Sequence, residues 1–331
     1  MDLDSQEIAQ ETPDEDVFRA PSIHSTSIPN GESYSHFSEI PKNVRDNMSE
    51  ACVLGIDEAG RGPVLGPMVY GLFYLPLTLH HSLLAETHHF DDSKVLTPAV
   101  RSALMETLCT PDTDLYENSG WATRVMSARD ISAGMMKPNG TYNLNAQAMD
   151  ATIDLIKAVL AQGVNITEIY IDTIGRPETY QAKLEKIFPT AKITVAKKAD
   201  SLYPCVSAAS VCAKVTRDAA LEVCYESYIA DGTSAEGWGS GYPSDARCSN
   251  WLKQNMDPVF GWGSECRFSW GTAKELLELK GAQLKVDWPV PDDEDSSMKM
   301  TDFFVASATD KEVGGDELAD WFGCRVTEEV F

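Results

Sequence analysis

Four carboxylates stand where a chain could do chemistry with them. Asp57 and Glu58 are adjacent, follow the apolar run Val53-Leu54-Gly55-Ile56, and lead straight into Gly60-Arg61-Gly62. Asp172 ends a second run, "ITEIYID", and Asp218 lies four residues past Lys214. A turn alone needs no second acid, so the Asp57-Glu58 pair asks for another explanation. Ionised carboxylates cannot crowd a small volume unless cations offset their repulsion. Hard oxygen donors suit Mg²⁺, with Mn²⁺ as the substitute, and Mg²⁺ takes one or two carboxylates per ion beside waters and phosphate oxygens. Two such ions ~4 Å apart can activate a water and stabilise the leaving oxygen of a phosphoryl displacement.

Gly60 and Gly62 permit positive φ and close backbone approach, so amides there can meet a phosphate or a sugar hydroxyl, and Arg61 adds charge. Beside the acid pair, this suggests a polynucleotide backbone held against metal ions. Taken singly, Asp172 reads equally as a strand-end acid solvating a turn, and Asp218 as helix-surface charge. The four together carry the reading.

The elements that must position these residues are legible in outline. "ACVLGID" is a buried strand ending at Asp57, and "PMVYGLFYL" is a second strand joined to it by a Gly/Pro turn. Met149, Ile153, Ile156 and Leu160 recur at helical steps, and Gly163 closes that helix. "ITEIYID" and "KITVAKK" are strands, with a helix opened by Pro177 between them. A long helix from about Tyr203 to about Ser227 carries Ser207, Val211, Lys214 and Asp218 on one stripe. Strands alternating with helices predict an α/β sandwich around a mixed sheet. If the strands of Asp57 and Asp172 are neighbours and the long helix crosses their ends, the acids converge.

The 331 residues are 43% hydrophobic, enough for one large domain with appendages. The formal charge of −24 argues at first against nucleic acid, whose binding is dominated by Lys and Arg. Residues 1–50 carry −8 and residues 287–331 carry −10, which leaves the central body at −6. The first ~48 residues have the composition of a disordered tail, and "PVPDDEDSS" marks a second break. No segment approaches the ~20 apolar residues of a membrane span, and no basic-then-apolar signal opens the chain, so a soluble intracellular protein is expected. The eight cysteines show no Cys-x-x-Cys spacing and read as buried free thiols. His80, His81, His88 and His89 read as an exposed face rather than a metal site.

The longer motifs are more specific than the acids. "DEAGRGPVLGPMVYG", "DSK" at Asp92–Lys94, "YNLNAQAMDATIDLI", "IDTIGRPETYQAKL", "KADSLYPCVSAASVCAKVTRD" and "GSGYPSD" closely resemble the type 2 ribonuclease H family in its eukaryotic catalytic-subunit form. The resemblance runs from about Cys52 to about Lys280. It implies an α/β fold with a ribonuclease H-like mixed central sheet flanked by helices, a C-terminal helical extension and disordered acidic tails. The expected domains are a disordered tail at 1–48, a catalytic domain at 49–288 with a helical C-terminal part, and an acidic linker with a partner-docking segment at 289–331.

By the same resemblance, Asp57, Glu58, Asp172 and Asp218 are the catalytic, metal-binding acids. Gly60, Arg61 and Gly62 read the ribonucleotide's 2′-hydroxyl and the adjoining phosphate, and Tyr242 packs near that sugar. Lys94, Lys197, Lys198, Lys214 and Arg217 are expected phosphate contacts. Asn145, Ser207 and Ser210 are further candidates whose types suit helix capping or packing equally well. The implied activity is an endoribonuclease that hydrolyses the RNA strand of RNA–DNA hybrids and nicks 5′ of single ribonucleotides embedded in duplex DNA. It leaves 3′-hydroxyl and 5′-phosphate ends, which fits ribonucleotide removal during DNA replication and repair in the nucleus. The 2′-hydroxyl is the group that tells RNA from DNA at one site, so a glycine loop and a tyrosine can read it without reading base sequence.

The family also implies two non-catalytic partner subunits. Trp321, Phe322, Val326, Val330 and Phe331 in the last segment need something to bury them, and docking onto those subunits is expected. "SMKMTDFF" resembles a sliding-clamp-binding motif through Met300, Phe303 and Phe304, with Ser297 where glutamine is usual. Two alternatives stay open at this point: a hybrid-binding scaffold without activity, and another two-metal hydrolase on a similar fold.

Overall fold

The computed structural model describes residues 18–90, 96–137, 142–173, 175–229 and 237–279. Six strands, β1 (Tyr34–Phe37), β2 (Cys52–Ala59), β3 (Met68–Pro76), β4 (Gly120–Met126), β5 (Ile166–Asp172) and β6 (Lys192–Ala196), make one sheet in the order β1-β4-β3-β2-β5-β6. β2 lies inside it, antiparallel to β3 and parallel to β5. Ile56 stands opposite Ile171, so the next residue in each strand, Asp57 and Asp172, is an acid at the same end of the sheet. The neighbouring strands expected from the two apolar runs are therefore present.

Helices α1 (Lys42–Asp46), α2 (Pro98–Cys109), α3 (Asp114–Asn118), α4 (Ala128–Met135), α5 (Leu144–Ala161), α6 (Pro177–Ile187), α7 (Pro204–Ile229), α8 (Ala246–Gln254) and α9 (Gly271–Leu279) are joined by short helical turns at Leu77–Leu79, Ser82–Thr87 and Ala199–Ser201. Leu155, Ile156 and Val159 of α5 pack with Leu54, Ile56 and Leu72 on one face of the sheet. Val206, Ala209 and Cys212 of α7 pack with Val53, Phe73 and Leu75 on the other. Covering both faces buries β2 and β3 almost end to end. That is why they read as continuous apolar runs rather than alternating ones.

α7 comes unusually close to the sheet because glycines make room for it. A Cβ on Gly55 would lie 2.3 Å from the Cys205 carbonyl group, and one on Gly71 would lie 2.2 Å from the Ala209 carbonyl oxygen. The facing helix residues Ala208, Ala209 and Ala213 are correspondingly small and fully buried. This backbone-to-backbone contact fixes the height of α7 above β2, and with it the height of Asp218. At the start of α5, Asn143 caps the helix by accepting from the amides of Asn145 and Ala146, both at 3.0 Å. Such a cap stabilises a helix by about 1 kcal/mol. At the other end Gly163 leaves the helix with φ of +88°, as its position predicts.

The mixed sheet, the flanking helices and the helical C-terminal part agree with the expected fold class. α8 and α9 belong to that C-terminal part, whose own core gathers Leu65, Trp238, Trp251, Leu252 and Trp262. No helix among the described residues is long and apolar enough to cross a membrane. The seven described cysteines are free thiols, five of them buried.

Two expectations need correction. Residues 18–48 are not a disordered tail: β1 pairs antiparallel with β4, Tyr34 donates its hydroxyl to the Ser22 carbonyl at 2.9 Å, and Ser22 shares a 2.8 Å hydrogen bond with Thr216 of α7. The segment is polar because β1 is an edge strand, half-buried throughout, and so carries no apolar run. His80 is not on an exposed face either. It is 5% exposed, and its Nε2 accepts from the Cys205 amide at 3.2 Å, satisfying a first-turn donor of α7. Burial and the neighbouring His81 pull its pKa down to about 4, which keeps the ring neutral and able to accept. Residues 1–17 and 289–331, including Met300, Phe303, Phe304 and the expected docking segment, lie outside the described residues.

Candidate active site

Asp57 is 7% exposed, unusually buried for a carboxylate. Burial pushes its pKa up to about 7, with the Asp172 charge adding to the rise. The Ser210 hydroxyl, the Glu58 amide and the Lys214 ammonium oppose the shift. The Glu58 amide donates to Asp57 Oδ1 at 2.7 Å, which holds the carboxylate toward the strand end. Asp172 is half-buried and also raised, chiefly by burial, while its Oδ1 accepts from the Ala199 amide at 2.7 Å. Lys197 and Lys198 are exposed at the turn just before that amide.

Glu58 is tied to the glycine loop by Arg61, whose Nη1 lies 3.3 Å from Glu58 Oε1. Arg61 Nη2 donates to Asn145 Oδ1 at the start of α5. One guanidinium thus links the second acid, the loop and a helix N-terminus, so Asn145 is brought to the site through Arg61.

The loop is stiff for identifiable reasons. Gly60 has φ of +77°, and a Cβ there would meet the Pro67 carbonyl oxygen at 2.8 Å. Arg267, which is fully buried, donates to the carbonyls of Gly60 (2.7 Å), Arg61 (2.9 Å) and Gly66 (3.0 Å). Trp270 Nε1 donates to the Gly62 carbonyl at 3.0 Å, and the Arg267 guanidinium lies 4.8 Å from the Trp270 ring centre. With these carbonyls held by Arg267 and Trp270 from one side, the loop's conformation is set by the C-terminal part of the chain. Tyr242 closes the arrangement: a Cβ on Gly62 would lie 3.0 Å from its ring, and it remains 38% exposed. The Gly241 carbonyl accepts from the Val64 amide at 2.9 Å and the Leu65 amide at 3.2 Å, locking the two loops together. Gly60→Ala is expected to destabilise the fold by about 1–2 kcal/mol, since an alanine meets both the positive φ and the Pro67 carbonyl. Thermal melting checks it.

The stripe on α7 runs from the core to the rim. Ser207 and Val211 are 3% and 1% exposed, Lys214 is half-buried within electrostatic reach of Asp57, and Asp218 is exposed. Ser207 is therefore interior and does not present itself to a substrate, whereas Ser210, also buried, lies beside Asp57. Arg217 differs from its expected role as a solvent-facing phosphate contact. It is 6% exposed, bonds Asp218 Oδ1 at 3.1 Å and donates to the Ser240 carbonyl at 2.5 Å. Lys94 lies outside the described residues. Arg267 and Trp270 were missed in the sequence, where "CRFSWG" carries no strand-end acid or glycine pair to single them out.

The donor set fits a divalent ion. Asp57 and Asp172 end neighbouring strands, and the charge of one makes ionisation of the other costly, a conflict that a cation resolves. Among the described residues, no group of three or more His, Cys, Asp or Glu side chains closes around a single point.

A family model described as Ribonuclease HII matches residues 54–273. A ribonuclease H2 subunit from Neurospora crassa is 60% identical over 316 residues, covering 95% of this chain and 97% of that protein. The solved structure of ribonuclease H2 from Pyrococcus horikoshii OT3 superposes with a TM-score of 0.55 at 28% identity, covering 69% of this chain and 98% of that one. Ribonuclease HII of Archaeoglobus fulgidus, solved in a complex with PCNA, gives 0.54 at 27% identity, covering 68% of this chain and 96% of that one. With its two acid-bearing strands side by side and its glycine loop clamped against Tyr242, the chain belongs to the ribonuclease HII family and is a ribonuclease H.

Proposed function

We propose that this ribonuclease H hydrolyses the RNA strand of RNA–DNA hybrids and nicks duplex DNA on the 5′ side of single embedded ribonucleotides, leaving 3′-hydroxyl and 5′-phosphate ends. The observation that carries the proposal is continuity. β2 bears Asp57 and Glu58 and runs directly into Gly60–Gly62, of which Gly62 rests against Tyr242, so the proposed sugar reader and metal-binding end share one stretch of backbone. Asp57, Glu58, Asp172 and Asp218 would hold two Mg²⁺ or Mn²⁺ ions. Bound there, the ions would supply charge neutralisation at the scissile phosphate and its leaving oxygen.

The chain's own residues do the rest. The Gly60–Gly62 loop lets a sugar and phosphate approach its backbone, while Tyr242 offers a flat exposed ring beside Gly62 for the ribose. Arg61 orients Glu58, and Lys214 adds positive charge beside Asp57. Asn145 steadies Arg61, while Lys94, Lys197 and Lys198 are phosphate contacts that set the duplex in register. Ser207 supports α7 from within.

For partners, the Neurospora relative's designation as one subunit of ribonuclease H2 supports assembly with further subunits, reached through residues 289–331. The complex of the Archaeoglobus relative with PCNA supports a sliding-clamp contact through Met300, Phe303 and Phe304. The substrate class makes the nucleus the working compartment. The test is a 5′-labelled RNA–DNA hybrid incubated with the full-length chain and Mg²⁺. Products extendable by a DNA polymerase, and therefore ending in 3′-hydroxyl, are expected, and EDTA should abolish them. Cleavage that survives EDTA, or ends that cannot be extended, would contradict the proposal.

A further inference from the structure

Arg217 is committed to more of the site than its neighbours are. Its fork reaches Asp218 Oδ1 at 3.1 Å with Nη1 and the Ser240 carbonyl at 2.5 Å with Nη2. Its guanidinium lies 5.8 Å from the centre of the Tyr242 ring. Its stem runs under the glycine loop: a Cβ on Gly60 would lie 3.0 Å from Arg217 Cγ and 3.2 Å from Nε, and a Cβ on Gly241 would lie 3.3 Å from Nη2. The residue is 6% exposed, and its Nε has no hydrogen-bond partner among the described residues. A buried ion pair is weak evidence of stability by itself, so the geometry that these contacts fix is what calls for explanation.

Resting on the reading of the site given above, we propose that Arg217 is the positioning residue that holds the ribose-reading loops at a set distance from Asp218. The planar fork matters here. Its two ends face different elements, the acid on α7 and the loop carrying Tyr242, while its stem packs on Gly60. Lysine offers a point charge on a flexible stem and cannot span both partners in a fixed geometry. A loop displaced by about 1 Å costs on the order of 100-fold in rate when reacting groups must be held in line. Arg217 is buried and both ends of its fork are already engaged, so its removal is expected to disturb alignment more than binding.

The experiment is a double-mutant cycle of Arg217→Met and Tyr242→Ala on a DNA duplex with one ribonucleotide, using the full-length chain and reading kcat and KM separately, with melting curves for every variant. Arg217→Met is expected to lower kcat about 100-fold while KM moves less than about 3-fold. Tyr242→Ala is expected to lower the rate roughly 10-fold in the wild-type background and by less than about 2-fold when Arg217 is already Met, because residues acting as a unit are not additive. Effects that simply multiply, or a loss confined to KM, would overturn the proposal. If Arg217→Met melts too low to assay, the cycle is run with Arg217→Lys, and the same two outcomes decide. A wild type that leaves the duplex uncut even when assembled with its partner subunits contradicts the reading of the site, and the coupling falls with it. A wild type that cuts while the variants multiply contradicts the coupling alone.

Discussion

Asp57→Asn is expected to raise the melting temperature of the metal-free protein at pH 8 while removing its activity. In the fold, burial lifts the Asp57 carboxyl from 3.8 to about 7. A raised folded pKa means that the fold favours the protonated acid. The associated stability is fully present below the unfolded pKa near 4 and is lost as pH climbs to about 7. Above that pH the ionised carboxylate costs on the order of 4 kcal/mol, at about 1.4 kcal/mol per unit. Asparagine copies the protonated shape at every pH and escapes this cost. The gain in melting temperature should therefore be roughly 10 °C at pH 8 and should shrink toward zero near pH 4. Adding Mg²⁺ or Mn²⁺ should raise the wild-type melting temperature and leave the variant almost unmoved. Cleavage should fall by at least about 1000-fold, the equivalent of the several kcal/mol that metal stabilisation of a transition state supplies. Melting curves across pH, with and without the ion, check all three statements. A variant that melts below wild type at pH 8 would show that Asp57 is there for packing.

Arg267→Met should move stability the other way, lowering it together with activity. Arg267 is wholly buried and donates to three loop carbonyls at 2.7–3.0 Å. Burial lowers its pKa to about 9, which still leaves it charged at neutral pH. Methionine fills much of the volume but leaves the carbonyls of Gly60, Arg61 and Gly66 without their donor. Removing one side of a buried charged hydrogen-bond set costs about 3–5 kcal/mol. For a domain of this size that is a fall of roughly 10 °C or more in melting temperature. Activity measured well below the new melting point should still be reduced, because Gly60–Gly62 lose the clamp that sets their backbone. Arg267→Lys should recover only a small part, since one ammonium cannot reach three diverging carbonyls. Calorimetry and a rate measured at 20 °C separate the two effects; full activity at that temperature would mean that the clamp serves stability only.

What the sequence showed and what it hid follow from range. Asp57 and Asp172 could be found because each ends an apolar strand whose periodicity is local, and the two strands are neighbours with Ile56 opposite Ile171. Gly60 and Gly62 announce a tight turn by their type. The α7 stripe was legible too, although exposure along it was not: Ser207 is interior because α7 sinks onto Gly55 and Gly71, a contact that depends on two distant glycines. Arg217 looked like a phosphate contact because a basic residue next to Asp218 suggests one. Only the fold shows that its fork is already engaged by Asp218 and Ser240. Arg267 lies 206 positions from Arg61 along the chain, and nothing local distinguishes it from a surface arginine. β1 was lost for the opposite reason, since a half-buried edge strand of four residues has too little apolar pattern to rise above its polar surroundings.

The central claim is that one end of β2 carries both the metal-holding acids and the loop that reads a ribose. Its most direct test uses two DNA duplexes identical except at a single nucleotide, ribose in one and 2′-deoxyribose in the other, incubated with the full-length chain and Mg²⁺. The expected result is one nick, on the 5′ side of the ribonucleotide, and no cut at that position in the all-DNA duplex. Cutting of both duplexes, or a nick elsewhere than 5′ of the ribonucleotide, would contradict it.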